Sequence, residues 1–268
     1  MGRVLLPAFA WMLFAVCAFV PRSVGAAGQE SIAGAPLPAT ATAAQALPAE
    51  PVPSDDAEVE VAPVPEGLDA DAILALTPDE CRAQLDAWKI PYEVPDDPPV
   101  SIDAPIRFTG PVVGVTFAIP WTATNGNDVL DCRLGVALAE WAVLLRERKV
   151  VEVRLYSFYR HGARHGVTAA RAQGQLSQHH YGLAIDARWF VLDGGEVLDV
   201  AADFVDPGTD DTCSGASDDA EASVLLDIYC TAWSARLFHV QLSPAHNREH
   251  ANHFHLDVGG ANGGWYLD

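Results

Sequence analysis

The chain has 268 residues, half of them hydrophobic, enough to bury one substantial core and leave residues over for segments outside it. Its 36 acidic residues outnumber 16 basic ones, for a net charge of −20. That balance argues against nucleic acid as a partner, because binding phosphates requires clustered Lys and Arg.

Residues 1–27 read as a secretory signal: Arg3 lies near the start, an apolar run extends from Val4 to Val20, and small residues follow Pro21 up to Ala27. The run is interrupted by Pro7 and falls short of the ~20 apolar residues that a spanning helix needs. No membrane association is therefore expected beyond this segment, and the mature chain is expected in the periplasm or outside the cell. Residues 28–75 are expected to form a disordered linker, rich in Ala, Pro and acids. Up to Glu66 it has no aromatic residue, so it cannot bury enough apolar surface to offset its ordering entropy. Its acidic character is that of a solvated segment.

The folded domain is expected over residues 76–268. Thr77-Pro78-Asp79-Glu80 is a capping box with Pro at the first helical position, and predicts a short helix to about Trp88. Leu134, Leu138, Trp141, Leu144 and Leu145 recur at helical spacing between Asp131 and Arg148. Val151, Val153 and Leu155 then alternate with Glu152 and Arg154, as in a half-buried strand. A strand from Gly182 to Val191 should turn through Asp193-Gly194-Gly195 into Val197–Val200, with a helix from Asp219 to Arg236 after it. Extended segments are expected at Phe238–Leu242 and His253–Val258. Helices beside short hairpin-linked strands predict an α+β domain with a mainly antiparallel sheet.

Cleavage of the signal would remove Cys17 and leave Cys81, Cys132, Cys213 and Cys230, an even number suited to two disulfides in an oxidising compartment. Spacing does not reveal the pairing. Cys213 and Cys230 bracket an acidic loop, and the absence of any Cys-x-x-Cys pair makes the thiols structural rather than zinc ligands. Asp206 to Asp211 is acidic but lacks the order of a calcium loop and reads as exposed. Trp141, Trp189, Trp233 and Trp265 read as core packing before any sugar-binding groove.

All nine histidines follow Arg160, and His246, His250, His253 and His255 fall within ten residues. In Ser177-Gln178-His179-His180-Tyr181-Gly182-Leu183-Ala184-Ile185-Asp186, a His at a loop end precedes by seven residues an Asp inside a strand. Ala184, Asp186 and Arg188 share one strand face there, and a carboxylate set among apolar neighbours calls for a cation. In His250-Ala251-Asn252-His253-Phe254-His255-Leu256-Asp257, an extended chain puts His253 and His255 on one face, their Cα atoms about 6.6 Å apart. Two His and one Asp leave a position for water, as a catalytic zinc site requires.

The pattern Ser-x-His-x-x-Gly-x-Ala-x-Asp followed by His-x-His resembles the signature shared by lysostaphin-type enzymes, D-Ala-D-Ala metallopeptidases, penicillin-insensitive murein endopeptidases and the hedgehog signalling domain. Together with Cys81-Arg82, Cys132, the aromatic-Arg element and Cys230, it covers Cys81 to Asp257. It looks most like the bacterial extensin-like C-terminal domain family of that superfamily. The resemblance implies a zinc-peptidase core in which His179, Asp186 and His255 hold Zn2+. Ser157-Phe158-Tyr159-Arg160 is similar to a Ser-x-Tyr-Arg element whose Arg faces the substrate in relatives; the plainer reading of Arg160 is a surface ion pair of about 0–1 kcal/mol. The extensin-like domain commonly has a Cys in this element, where this chain has Tyr159.

In D-Ala-D-Ala dipeptidases a Glu three residues before the last ligand is the general base, but that position is Asn252 here. The expected catalytic residues are therefore His253 as proton acceptor, His250 in the position seen in murein endopeptidases, and Arg160 as an oxyanion partner. Asp257 reads either as an acceptor that orients a histidine or as a strand-end surface carboxylate. The resemblance implies hydrolysis of peptidoglycan stems or crosslinks. The alternative is a zinc-stabilised binding module without turnover, as the hedgehog domain illustrates. A histidine-metal nuclease, suggested by His246-Asn247, conflicts with the acidic charge.

Overall fold

The computed structural model describes residues 67–121, 126–162, 176–209, 211–259 and 264–268. The predicted signal and the linker as far as Glu66 lie outside the described residues. Order begins ahead of the expected boundary at residue 75. Asp69 caps helix α1 (Ala70–Ala75) by accepting from the Ala72 N–H at 3.0 Å, and Ala70 and Ile73 are fully buried. Ile73 supplies the apolar anchor that the acidic composition around it hides.

Helix α2 (Pro78–Ala87) starts at the expected capping box: Thr77 Oγ1 accepts from the Glu80 N–H at 3.3 Å, and Glu80 Oε2 from the Thr77 N–H at 2.9 Å. Strands β1 (Tyr92–Glu93) and β2 (Pro105–Phe108) precede β3 (Thr116–Ala118) and β4 (Leu130–Asp131), and β1, β2 and β4 form a small antiparallel sheet with β2 in the middle. Helix α3 (Cys132–Glu147) is buried along most of its length, as expected of a helix that is apolar nearly all round. Its Trp141 ring meets Phe190 and Phe238 edge-on at centroid distances of 6.0 and 5.8 Å. Trp141 is thus core, whereas the Trp233 and Trp265 rings pair with each other at 5.8 Å.

Next come β5 (Val150–Leu155), β6 (Ala184–Leu192), β7 (Val197–Asp199), α4 (Val200–Asp203), α5 (Ala220–Ser234), β8 (Val240–Leu242), β9 (Phe254–Asp257) and β10 (Tyr266–Leu267). The main sheet runs β10-β8-β9-β6-β5-β3, with β7 paired to the second half of β6. The domain is α+β, but the sheet is mixed. Its inner pairings are antiparallel, while β3 on β5 and β10 on β8 are parallel. Hairpin turns reveal only antiparallel neighbours. The parallel β3 and β5 are joined by a crossover through α3, which no local pattern announces.

Two disulfides tie helices into this frame. Cys81–Cys132 joins α2 to the first residue of α3, and Cys213–Cys230 joins the turn Thr212–Ser214 to α5. Such bridges persist in oxidising compartments. Asp206 and Asp211 accept from the backbone N–H groups of Gly208 and Cys213 at 2.9 and 2.8 Å, so both serve the loop's own turns. Among the described residues no helix is long and apolar enough to cross a membrane.

Candidate metal centre

His179 sits in a 3-10 turn, Gln178–Tyr181, whose residues explain the motif around it. Ser177 Oγ accepts from the His179 N–H at 3.4 Å, and Gly182 ends the turn in the left-handed region at φ 67°. A Cβ on Gly182 would stand 2.8 Å from the Asp131 nitrogen, whose N–H donates to the Gly182 carbonyl at 2.9 Å. Only glycine permits that approach, which docks the turn against the start of α3. The segment Ser157–Arg160 clamps His179 from the other side: Nδ1 of His179 donates to the Phe158 carbonyl at 3.0 Å, and the Arg160 N–H donates to the His179 carbonyl at 3.1 Å.

Asp186 on β6 is the direct partner of His255 on β9 in the antiparallel register, and Leu242 of β8 flanks His255 on the other side. The three expected ligand residues converge. His179 Nε2 to Asp186 Oδ1 is 2.9 Å, His255 Nδ1 to Asp186 Oδ1 is 2.9 Å, and the two nitrogens are 3.3 Å apart. Two ligands about 2.0–2.1 Å from a tetrahedral zinc lie about 3.3 Å apart, so this triangle could hold such an ion. All three residues are at most 5% exposed.

The donor chemistry suits a cation here. A carbonyl can only accept, so His179 keeps its proton on Nδ1. Burial first of all lowers the His179 pKa, which favours the neutral ring. The Nε2 lone pair then faces the Asp186 carboxylate at 2.9 Å, a repulsive contact that a shared cation converts into ligation. His255 Nε2 faces Asp257 Oδ2 at 3.5 Å, leaving Nδ1 toward Asp186. Asp257 is buried, so it is no surface carboxylate and stands as an outer partner of His255. Burial opposes charge on both His255 and Asp186. Hydrogen bonds donated to Asp186 and then to Asp257 nonetheless push the metal-free His255 up to about 9.

His253 touches the same carboxylate, with Nε2 3.2 Å from Asp186 Oδ1, but stands outside the three-residue group whose donor atoms converge. Arg160 reaches Asp186 Oδ2 at 3.1 Å with its side chain half exposed, so it belongs to the mouth of the site rather than to an isolated surface pair. His250 does not meet Asp186. Its ring lies 5.4 and 5.6 Å from those of His253 and His255, and its Nδ1 donates to Asn247 Oδ1 at 2.9 Å. Burial, followed by the neighbouring charges of His255 and His253, pushes His250 down to about 3.

The sequence reading passed over Tyr156, Arg188 and Asn252 as site residues. Tyr156 follows β5 and meets the His253 ring edge-on at 5.7 Å, while Trp121 stacks on it and Trp189 packs edge-on, both at 5.8 Å. Trp189 therefore belongs to this cluster beside the site rather than to the core. Strand alternation puts Arg188 on the face of Asp186, a signal that was available. Nothing local points to Tyr156.

No curated protein and no solved structure matches the chain. The family described as extensin-like protein C-terminus matches residues 79–266, a span that contains every residue of the centre. The chain belongs to the extensin-like protein C-terminus family.

Proposed function

We propose that this chain is an exported zinc-dependent peptidase that hydrolyses peptides of bacterial cell-wall peptidoglycan. The observation that carries the reading is the convergence of His179 Nε2, Asp186 Oδ1 and His255 Nδ1, with a further imidazole, His253, beside them but outside the ligand set. A closed structural site would use four protein ligands, whereas three leave a place for solvent. The motifs also resemble those of murein endopeptidases and D-Ala-D-Ala metallopeptidases, and the two disulfides suit an oxidising compartment.

Zinc at such a site supplies Lewis-acid chemistry, polarising a carbonyl and acidifying water. The chain's own residues do the rest. His179, Asp186 and His255 hold the ion, and their outer partners Phe158 and Asp257 keep the imidazoles turned inward. His253 accepts a proton at Nε2 from the attacking water and returns it to the leaving amine. Arg160, anchored by one nitrogen on Asp186 Oδ2, directs its exposed donors at the oxygen that gains charge or at a peptide carboxylate.

Purified protein incubated with muropeptides, with and without a chelator, tests the proposal. Release of new peptide ends that stops with chelator, and is lost in His253→Ala and Asp186→Ala, is the expected result. Zinc uptake without any product would overturn peptidase activity in favour of a binding module; equal cleavage by both variants would refute the assigned roles.

A further inference from the structure

Five polar side chains from four stretches of the chain form one continuous series that ends at His253. Asp199, the last residue of β7, receives Arg188 in two parallel hydrogen bonds: Nε to Oδ1 at 2.9 Å and Nη2 to Oδ2 at 3.0 Å. The remaining guanidinium nitrogen, Nη1, donates to the Tyr156 hydroxyl oxygen in a short contact. Asn252 Nδ2 donates to the same oxygen at 3.1 Å. Asn252 Oδ1 then faces His253 Nδ1 at 2.8 Å.

Direction along the series follows from the donor inventory together with the orientation of the Asn252 amide. Arg188 can only donate, and its carboxylate partner Asp199 can only accept, which seats the guanidinium and makes the Tyr156 oxygen an acceptor. Asn252 presents its amide nitrogen to that oxygen, so its carbonyl oxygen is turned to His253. An amide oxygen accepts only, so His253 carries a proton on Nδ1 and turns Nε2 toward the centre.

The other two imidazoles obey the same rule with different partners. His179 gives its outer proton to a backbone carbonyl, that of Phe158. His255 turns its outer nitrogen to a carboxylate, that of Asp257. An amide oxygen does this for His253, and each imidazole faces Asp186 with its other nitrogen. Rigid neighbours hold the His253 arm in place. Tyr156 stacks with the Trp121 ring at 5.8 Å and meets the His253 ring edge-on at 5.7 Å, and Arg188 lies 4.4 Å above Trp189.

We infer that Asn252 is a positioning residue that holds the His253 proton on Nδ1, and that Asp199, Arg188 and Tyr156 hold Asn252 in the orientation that does so. The inference rests on the reading of His253 as the proton acceptor of a zinc peptidase. It also gives the Asn at this position a use: an amide that orients the neighbouring histidine in place of a carboxylate that would take the proton itself.

The test is a long-range proton–nitrogen NMR correlation on the full chain, labelled with 15N-histidine and supplied with one equivalent of Zn2+, with His253 assigned from its loss in His253→Ala. The expected wild-type result is a protonated Nδ1 and a bare Nε2 on His253. Asn252→Leu should abolish that preference and lower kcat on muropeptides by about 10–100-fold with little change in KM, the usual scale for loss of an outer orienting partner. Asn252→Asp, which still accepts from Nδ1, should restore the tautomer and recover most of kcat. A wild-type proton on Nε2, or an Asn252→Leu spectrum unchanged at His253, would overturn the inference. Failure of the peptidase reading looks different: the His253 tautomer is as expected, but wild-type protein releases no peptide, or the His179 and His255 signals ignore Zn2+.

Discussion

Asp186 and His255 stand directly opposite each other on β6 and β9, with Oδ1 and Nδ1 2.9 Å apart. A cross-strand pair in register is among the most rigid ways to hold two side chains together, because both backbones are fixed by the ladder between them. His179 reaches the same oxygen from a turn that Gly182 presses onto the N-terminus of α3. The centre is therefore built from one sheet pairing and one clamped turn, and each can be broken separately.

Asp186→Asn tests the sheet half. The amide keeps the volume but loses the charge and offers an NH2 group where an acceptor is needed. Zinc affinity measured by competition with a chromophoric chelator should fall by more than the about 10–100-fold typical of losing an outer partner. An affinity equal to wild type would contradict the placement of Asp186 as a ligand.

Gly182→Ala tests the turn half. The substitution forces an L-residue to φ 67° and brings a Cβ to 2.8 Å from the Asp131 nitrogen. A cost of at least about 1–2 kcal/mol is expected from the left-handed conformation alone, read as a lower denaturation midpoint, together with weaker zinc binding as His179 is displaced. A variant with wild-type stability and metal affinity would show that the close approach at Gly182 is not needed.

The pH dependence of metal binding has a definite sign. In the metal-free protein the His255 proton is held up to about 9, so the ion must displace a proton at neutral pH. Zinc affinity should rise about tenfold per pH unit from pH 7 and level off near pH 9. Without metal the linkage runs the other way: the raised His255 pKa stabilises the fold fully below the ordinary histidine range, and that contribution is lost as pH rises through about 9. Calorimetric titrations in buffers of different ionisation enthalpy would count the released protons, and release of none at pH 7 would refute the prediction.

The two disulfides should contribute unequally. Cys81–Cys132 spans 51 residues and Cys213–Cys230 spans 17. Loop-closure entropy in the unfolded chain puts their contributions at about 4 and about 3 kcal/mol. Paired Cys→Ser variants compared by urea denaturation should show the larger loss for the α2–α3 bridge. The reverse order would mean that native packing, not chain entropy, sets their worth.

Local chemistry was enough for much of this protein. Thr77 and Glu80 announce a helix start, Leu134 to Leu145 a buried helix, and the alternation after Val151 a strand, because each depends on residues within a few positions of one another. The candidate ligand residues were readable for the same reason: His179 and Asp186 share one ten-residue motif, and His255 lies in another. That Asp186 meets His255, that Cys81 meets Cys132, that β3 and β10 add in parallel, and that Asp199, Arg188, Tyr156 and Asn252 line up behind His253 came only with the tertiary fold. Periodicity says which face of a strand a side chain occupies, but carries no information about which strand lies beside it or in what register. Those are set by packing around α3, among residues far apart in the chain.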